Sequence, residues 1–419
     1  MRELKRPRLL NSLTPTLSRR ERGPKSRYLH KGETEGVPYW RLSGFYFFYF
    51  AALGSLLPYW PLYLQSLGFD HGQIGTVIAI IAATKIVAPN IWGWIADRTG
   101  RGLTVIRLGS ICTVATFCAI ARFDDFLAMA LGTLLYSFFW NAILPPFEAV
   151  TLHHMRSRPE RYSKVRLWGS IGFIVGVLAV GRALESYPVA HLPYVVAALL
   201  SGMWLLSLLV PPAARHGKEA ATSSFRRLLL RGEVLALLTV VFLVQLAHGP
   251  YYAFFTLYLK EHGYGSAQAG QLWSLGVMAE VVLFMGLARL QRRLSLRQLL
   301  LGSLVLGTLR WLAIAQAVDE PLLLATAQLL HAATFGITHV TAVHLVHHHF
   351  GGAHHSKGQA LYNSAGHGLG GMLGSYWSGL FWAQWGGPLV YSGAAAASLL
   401  GLLIAWLGIR STYARATRA

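Results

Sequence analysis

The sequence predicts an all-α membrane protein with twelve transmembrane helices. Three observations carry that reading. Hydrophobic residues make up 54 % of the 419 residues and charged ones 13 %, against about 25 % charged in soluble domains; the mean hydropathy is +0.43. Apolar runs long enough to cross a bilayer, about 20 residues each, recur along the chain. Lys and Arg crowd onto alternate loops. These features exclude a soluble enzyme, a disordered tail protein and a disulfide scaffold. The two cysteines, Cys112 and Cys118, are six residues apart in one apolar run, which turns them to different helix faces and disfavours a bond between them.

The spans, numbered 1 to 12, run over residues 42–66, 73–96, 103–121, 126–150, 165–184, 190–210, 234–259, 267–288, 297–317, 322–346, 358–383 and 387–409. They are continuous rather than alternating, which rules out a β-barrel reading. Twelve crossings put both termini and every even-numbered connection on one side. That side carries 30 Lys and Arg, the other carries 3 (Arg122, Arg182 and Lys260), and four more lie inside spans. This bias predicts cytoplasmic termini. The net charge of +20 is therefore a topological signal, with some contact to anionic lipid, and not a nucleic-acid footprint.

Residues 1–40 hold a basic, Pro- and Ser-containing stretch without an apolar run. No h-region is present, so this is not a signal peptide; a disordered extension is expected. The phrase LTPTLSRRERG resembles translated bacterial intergenic repeat sequence, which leaves Val37 as an alternative start.

Leu62–Gly75 reads LYLQSLGFDHGQIG and Leu257–Gly270 reads LYLKEHGYGSAQAG. Six of fourteen positions match at an offset of 195, at the outer ends of spans 1 and 7. Such a repeat points to a duplicated six-helix unit. The expected organisation is a first bundle over 41–210, a linker over 211–233, a second bundle over 234–410 and a tail over 411–419.

Between spans 2 and 3 the chain reads GWIADRTGRG from Gly93 to Gly102. This resembles the loop signature of the major facilitator superfamily, G-x-x-x-D-R-x-G-R-[RKG]. The resemblance implies the major facilitator fold of two six-helix bundles. It also implies that Gly93, Asp97, Arg98, Gly100 and Arg101 form a gating latch, in which Gly93 lets helices approach closely. The matching loop from Gly286, GLARLQRRLSLRQL, lacks the Asp. RLSGFYFFYFAALGSLLPYWPLYL, the PFEA of span 4 and LLHAATFGITH of span 10 look like the phenylpropionate permease family, itself similar to the lactose permease family and the nucleoside–proton symporters. The resemblance covers nearly all of residues 38–410.

Charged groups in hydrocarbon are costly, about 2.5–3.5 kcal/mol on the mildest scale, so each needs a reason. Glu148 and Arg166 each lie nine residues from Ser157, near the turn between spans 4 and 5. Antiparallel neighbours equidistant from their turn sit at equal depth, so the two can meet. By resemblance to the lactose permease family this pair contacts substrate, with Phe173 as the aromatic beneath it; a structural salt bridge is the alternative. Glu280, Arg310 and His331 sit well inside spans 8, 9 and 10 and make a plausible proton relay. The resemblance assigns them to coupling, but the expected carboxylate three residues after the His is Thr334 here. The proton would then be carried by Glu280, Glu148 or His331. Lys85 stands alone in span 2, about 18 Å from Asp97 by helical rise. A lone midplane cation suits an anionic substrate; pairing across the cavity is the alternative. Asn141 is a candidate cavity amide, and Arg107 a cation that snorkels. Gly172 with Gly176, and Gly370 with Gly374, read as packing on which the bundles rock. The histidines from His344 to His355 read as a solvated helix end rather than a metal site.

No P-loop, HExxH or CxxC framework occurs, which leaves a transporter ahead of an enzyme or sensor. The expectation is a proton-gradient-driven symporter, without a cofactor, in a bacterial cytoplasmic membrane. It would act as a monomer on a small organic solute by alternating access. An aromatic carboxylate such as 3-phenylpropionate stands slightly ahead of a sugar or nucleoside, and uptake ahead of export.

Overall fold

The computed structural model describes residues 37–156, 158, 161–212, 225–351 and 354–410. The basic extension, most of the linker and the tail lie outside them. Pro38 onward forms a single compact unit built from helices.

Proline and glycine set the punctuation. Span 1 is α1 (Tyr39–Leu56) and α2 (Trp60–Ser66), bent by 42°. Pro61 starts the second piece, where its missing N–H costs nothing. Span 2 is α3 (His71–Thr99), stopped by Gly100 at φ 64°. Span 3 is α4 (Gly102–Ile120). Span 4 is α5 (Phe126–Trp140) and α6 (Leu144–His154), broken at 141–143 ahead of Pro145 and Pro146. Spans 5 and 6 are α7 (Tyr162–Ala183) and α8 (Leu192–Leu209). A short α9 (Phe225–Leu229) precedes span 7, α10 (Gly232–Glu261). Spans 8 and 9 are α11 (Ser266–Arg293) and α12 (Leu296–Gln316). Span 10 is α13 (Pro321–Leu329) and α14 (Thr338–His349), joined through a π-helical stretch, Ala332–Ile337. Last come α15 (His355–Asn363), a second π stretch over Ser364–Gly370, and α16 (Gly371–Gly408).

The run from His355 to Gly408 is 54 residues long, more than twice what a bilayer needs. Gly386, at φ 70° and ψ 172°, breaks it. Spans 11 and 12 therefore meet where the sequence placed their boundary. Large apolar side chains such as Leu131, Met285, Leu322 and Leu407 point outward, as a lipid-facing surface requires.

The duplication is visible in atomic detail. Gly68 and Gly263, 195 residues apart, both take positive φ, 87° and 81°. Each is followed by the same helix start: the Asp70 N–H donates to Gln73 Oε1 at 3.0 Å, and the Gly265 N–H to Gln268 Oε1 at 2.7 Å. Gly54 and Gly249 share the offset too. A Cβ on Gly54 would strike the Phe173 backbone, and one on Gly249 the Gly374 backbone. Spans 1 and 5, like spans 7 and 11, thus touch main chain to main chain within each half. This corrects the expected role of Gly172, Gly176, Gly370 and Gly374. They abut Phe47, Ala51, Phe242 and Leu246 of their own half, so they hold each bundle rigid. The contacts between halves are elsewhere: Gly75 against Gly379, and Gly270 against Val177.

Those inter-half contacts lie toward the face opposite the termini. There Tyr59 Oη–H donates to the Val177 carbonyl at 2.8 Å. Glu185 Oε1 accepts from the Ala267 N–H at 2.8 Å, at the start of α11. That bond holds the Glu185 carboxyl below its usual range, helped by Lys260 and Arg182. His71 and Glu261 approach to 3.8 Å on the same face.

At the opposite ends, Arg107 reaches the terminus of α8. Its guanidinium donates to the carbonyls of Ser207, Leu208 and Val210, at 3.2, 3.0 and 3.1 Å, which caps the free carbonyls ending α8. Arg297 does the same in the second half, on Trp406 and Ile409.

Gly249→Val is expected to lower stability by about 1–3 kcal/mol through overpacking, whereas Gly302→Ala, where a Cβ meets open space, is expected to be neutral or stabilising; thermal unfolding in detergent compares them. Glu185→Gln should widen the distance between spin labels at Tyr187 and Asp319. In the wild type the same widening should appear only in acid, below a pH of about 4.3, since a carboxylate with a depressed pKa holds its partner at every higher pH.

Candidate functional site

Glu148 and Arg166 meet, with Arg166 Nε 3.7 Å from Glu148 Oε1. The guanidinium lies over Phe50 at 4.3 Å and Tyr46 at 5.3 Å. Although both sit inside spans, the Arg166 and Glu148 side chains keep 33 % and 37 % of their surface. A mid-membrane ion pair with that exposure faces a cleft. The cleft lies between the halves and opens toward the termini, because the halves close on each other at the other face.

Lys85 makes no hydrogen bond or ion pair among the described residues. Its neighbour Ile86 marks the crossing with span 11: the Ile86 carbonyl accepts from Ser364 Oγ–H at 3.4 Å, and Gly368 packs on its side chain. His367, in the π stretch, is close enough to feel the lysine's charge. Asn141 is drawn away from substrate contact. Its Nδ2 donates to the Ile81 carbonyl at 3.1 Å and to Thr84 Oγ1 at 2.8 Å, tying the break in span 4 to span 2 and leaving only its oxygen for a ligand. Phe173 is buried, with its backbone against Gly54.

The three residues expected to form a relay divide in two. Glu280 lies against Gly336 of the π stretch in span 10, and the charge that reaches it is Arg166. By the offset of 195, Glu280 occupies the position in span 8 that Lys85 occupies in span 2. Arg310 and His331 do come together, in a deeper cluster. Arg310 is fully buried against the rings of Tyr251, at 4.5 Å, and Trp311, at 4.4 Å. Its Nη1 donates to Thr334 Oγ1 at 3.1 Å and lies 3.5 Å from His248 Nε2. His248 Nδ1 is 2.7 Å from the Val244 carbonyl, which fixes the proton on Nδ1 and leaves Nε2 to accept. His331 stacks on Phe335 at 5.4 Å.

Sequence reasoning left His339 and Tyr362 without a role, yet His339 Nδ1 is 2.7 Å from Tyr362 Oη, beside Arg166's field. The available signal was the lone His two turns after His331. In the latch, Arg98 covers Trp94 at 5.2 Å and Gly100 ends α3, with Asp97 in its last turn and Arg101 next. A Cβ on Gly93 would meet open space, so the expected close helix approach there is absent in this conformation. The histidine run ends α14, where His349 lies 3.9 Å from Glu233.

The profile of the MFS_1 like family matches residues 39–392. Over 310 residues the chain is 30 % identical to a probable 3-phenylpropionic acid transporter of Escherichia coli (strain K12), covering 72 % of this chain and 80 % of that protein. It is 27 % identical over 366 residues to a maltose permease of Geobacillus stearothermophilus, covering 86 % and 92 %. Among solved structures, a point mutant of the nucleoside transporter NupG superposes with a TM-score of 0.79 at 18 % identity, over 89 % of this chain and all of that one. With its matching profile, its twelve-span helical fold and these transporter relatives, the chain belongs to the MFS_1 like family of major facilitator transporters.

Proposed function

We propose that this protein is a proton-coupled symporter that takes up an aromatic carboxylate such as 3-phenylpropionate. The observation that carries the reading is Lys85, a cation at the cleft without a partner among the described residues. The 3-phenylpropionic acid transporter among its relatives points to the same solute class. Four ionisable residues are placed at the cleft in this reading: Lys85 and Arg166 as cations, Glu148 and Glu280 as carboxylates when unprotonated. Their charges cancel. An entering carboxylate that pairs with Lys85 leaves one negative charge uncompensated in a low-dielectric site, which is costly. A proton on Glu280 restores the balance, so acid and proton cross together.

In this reading the basic face is cytoplasmic and the cleft is inward-open. The halves rock about the site, and the Glu185–Ala267 and Gly75–Gly379 contacts break as the cytoplasmic side closes. Arg166, now on Glu148, lies within reach of Glu280 as spans 5 and 8 converge. The protein works as a monomer and needs no cofactor beyond the proton gradient. The Arg166–Glu148 pair above the Phe50 ring favours a second reading, in which a sugar or nucleoside binds there; the maltose permease relative supports it.

In proteoliposomes with an inward proton gradient, radiolabelled 3-phenylpropionate should accumulate while maltose and uridine do not. Lys85→Ala should lower uptake about 10- to 100-fold, the loss expected for a charged hydrogen bond of about 1.5–3 kcal/mol. Accumulation of a neutral solute instead would move recognition to Glu148 and Arg166. Glu280→Gln should keep counterflow exchange at full rate and lose pH-driven accumulation; survival of accumulation would remove Glu280 as the carrier.

A further inference from the structure

Arg310 is a permanent cation, fully buried within the membrane-spanning helices, with no ion pair among the described residues. Its hydrogen bonds leave the guanidinium half used. Nη1 is engaged by Thr334 and His248. Nε and Nη2, the side-on fork that grips an anion with two parallel bonds, have no protein partner. Tyr251 and Trp311 pack against the guanidinium at 4.5 and 4.4 Å, with their ring centroids 6.0 Å apart, so they line adjacent sides of it and supply no acceptor.

The neighbouring polar atoms share that condition. Gln328 is fully buried, and its Oε1 accepts from Tyr251 Oη–H at 2.9 Å. The amide therefore faces the cluster with a donor, Nε2, that has no partner. His331 Nδ1, one turn further along span 10, has none either. Gln328, His331 and Thr334 recur every three residues, so they lie along one face of span 10, and Thr334 fixes that face toward Arg310. Three helices thus bring together a buried cation and unused donors, and no carboxylate accepts from them. Burying such groups without an acceptor is expensive, and the tethered carboxylate that would offset it is a threonine at position 334. A cavity of about 10 Å³, room for one water-sized particle, begins beside Thr334. Gln245, Thr338, His339 and Tyr362 also line it.

We propose that Arg310, Gln328 and His331 form a buried site for one small monoanion. The occupant is either free chloride or the carboxylate head of a transported acid. The proposal stands on the cluster itself and does not depend on Lys85 or on proton coupling.

The test uses the purified full chain in detergent, unfolded by heat in sodium chloride or in sodium gluconate of equal ionic strength. Chloride should raise the midpoint by about 2–4 °C and saturate, as ligand binding to the folded state requires. Thr334→Glu supplies a tethered carboxylate beside Nη1 and should unfold at the same temperature in both salts. Gln328→Leu removes one donor and should weaken the chloride response several-fold while leaving Arg310 in place. In gluconate, a midpoint raised by 3-phenylpropionate alone, and diminished in Gln328→Leu, would assign the site to the solute's carboxylate instead of chloride. Identical wild-type midpoints in chloride, gluconate and gluconate with 3-phenylpropionate would overturn the proposal. So would a full wild-type chloride response in both variants.

Discussion

Hydrocarbon tolerates a charged or unpaired polar group only when something else satisfies it, and the contacts of the cations in and beside the spans follow from that constraint. Arg107 and Arg297 are spent on the open carbonyls that end α8 and α16, one in each half. Arg166 has a carboxylate, two aromatic faces and the water of the cleft. Lys85 and Glu280 are left at the cleft. Arg310 is the exception in kind: aromatic faces and a threonine receive it, and half its donors are unused. Arg107 and Arg297 thus end on backbone carbonyls, Arg166 faces the cleft, and Arg310 is enclosed within the second half.

The second constraint is rigidity. A carrier that alternates between two openings needs stiff halves and a yielding seam between them. Gly54 and Gly249 allow main chain to meet main chain within each half, where no side chain can rearrange to absorb motion. The seam is made of different material: Gly75 on Gly379, Gly270 on Val177, one tyrosine hydroxyl and one exposed carboxylate. These contacts lie at one end of spans 2, 5, 8 and 11, so they can part without disturbing either bundle. The π-helical stretches sit away from that seam, in spans 10 and 11 beside Glu280 and Ile86, where an extra residue in the turn loosens the helix and shifts which side chains face inward.

Much of this was legible in the residues. Run length gave the spans, including the boundary at Gly386. The repeat at offset 195 gave the duplication, and counting outward from Ser157 gave the meeting of Glu148 with Arg166. What escaped was rotation about each helix axis. Periodicity states that a residue is helical, but the contrast between helix faces is faint when lipid and protein are both apolar, so the facing of Asn141, Gly93 and Arg107 could not be read. Arg310 escaped for a different reason. Its partners come from spans 7, 9 and 10, more than sixty residues apart at the extremes, and no local pattern records such a meeting.

The duplication adds a last step. Lys85 and Glu280 stand at equivalent positions of the two halves, so a pseudo-two-fold axis carries one toward the other at the same depth. Two identical halves would place like charges there and repel. Divergence to opposite signs removes that repulsion, and it gives the cleft a polarity from one wall to the other that a symmetric ancestor would lack. In the proposed reading, a solute bearing one negative charge is oriented on entry, its carboxylate toward span 2 and its apolar body toward span 8. In the proposed reading, the proton that balances it arrives on the opposite wall, at Glu280. Solute and proton in this reading occupy opposite walls of one cleft, and the coupling between them is Coulombic: each makes the site neutral only in the presence of the other.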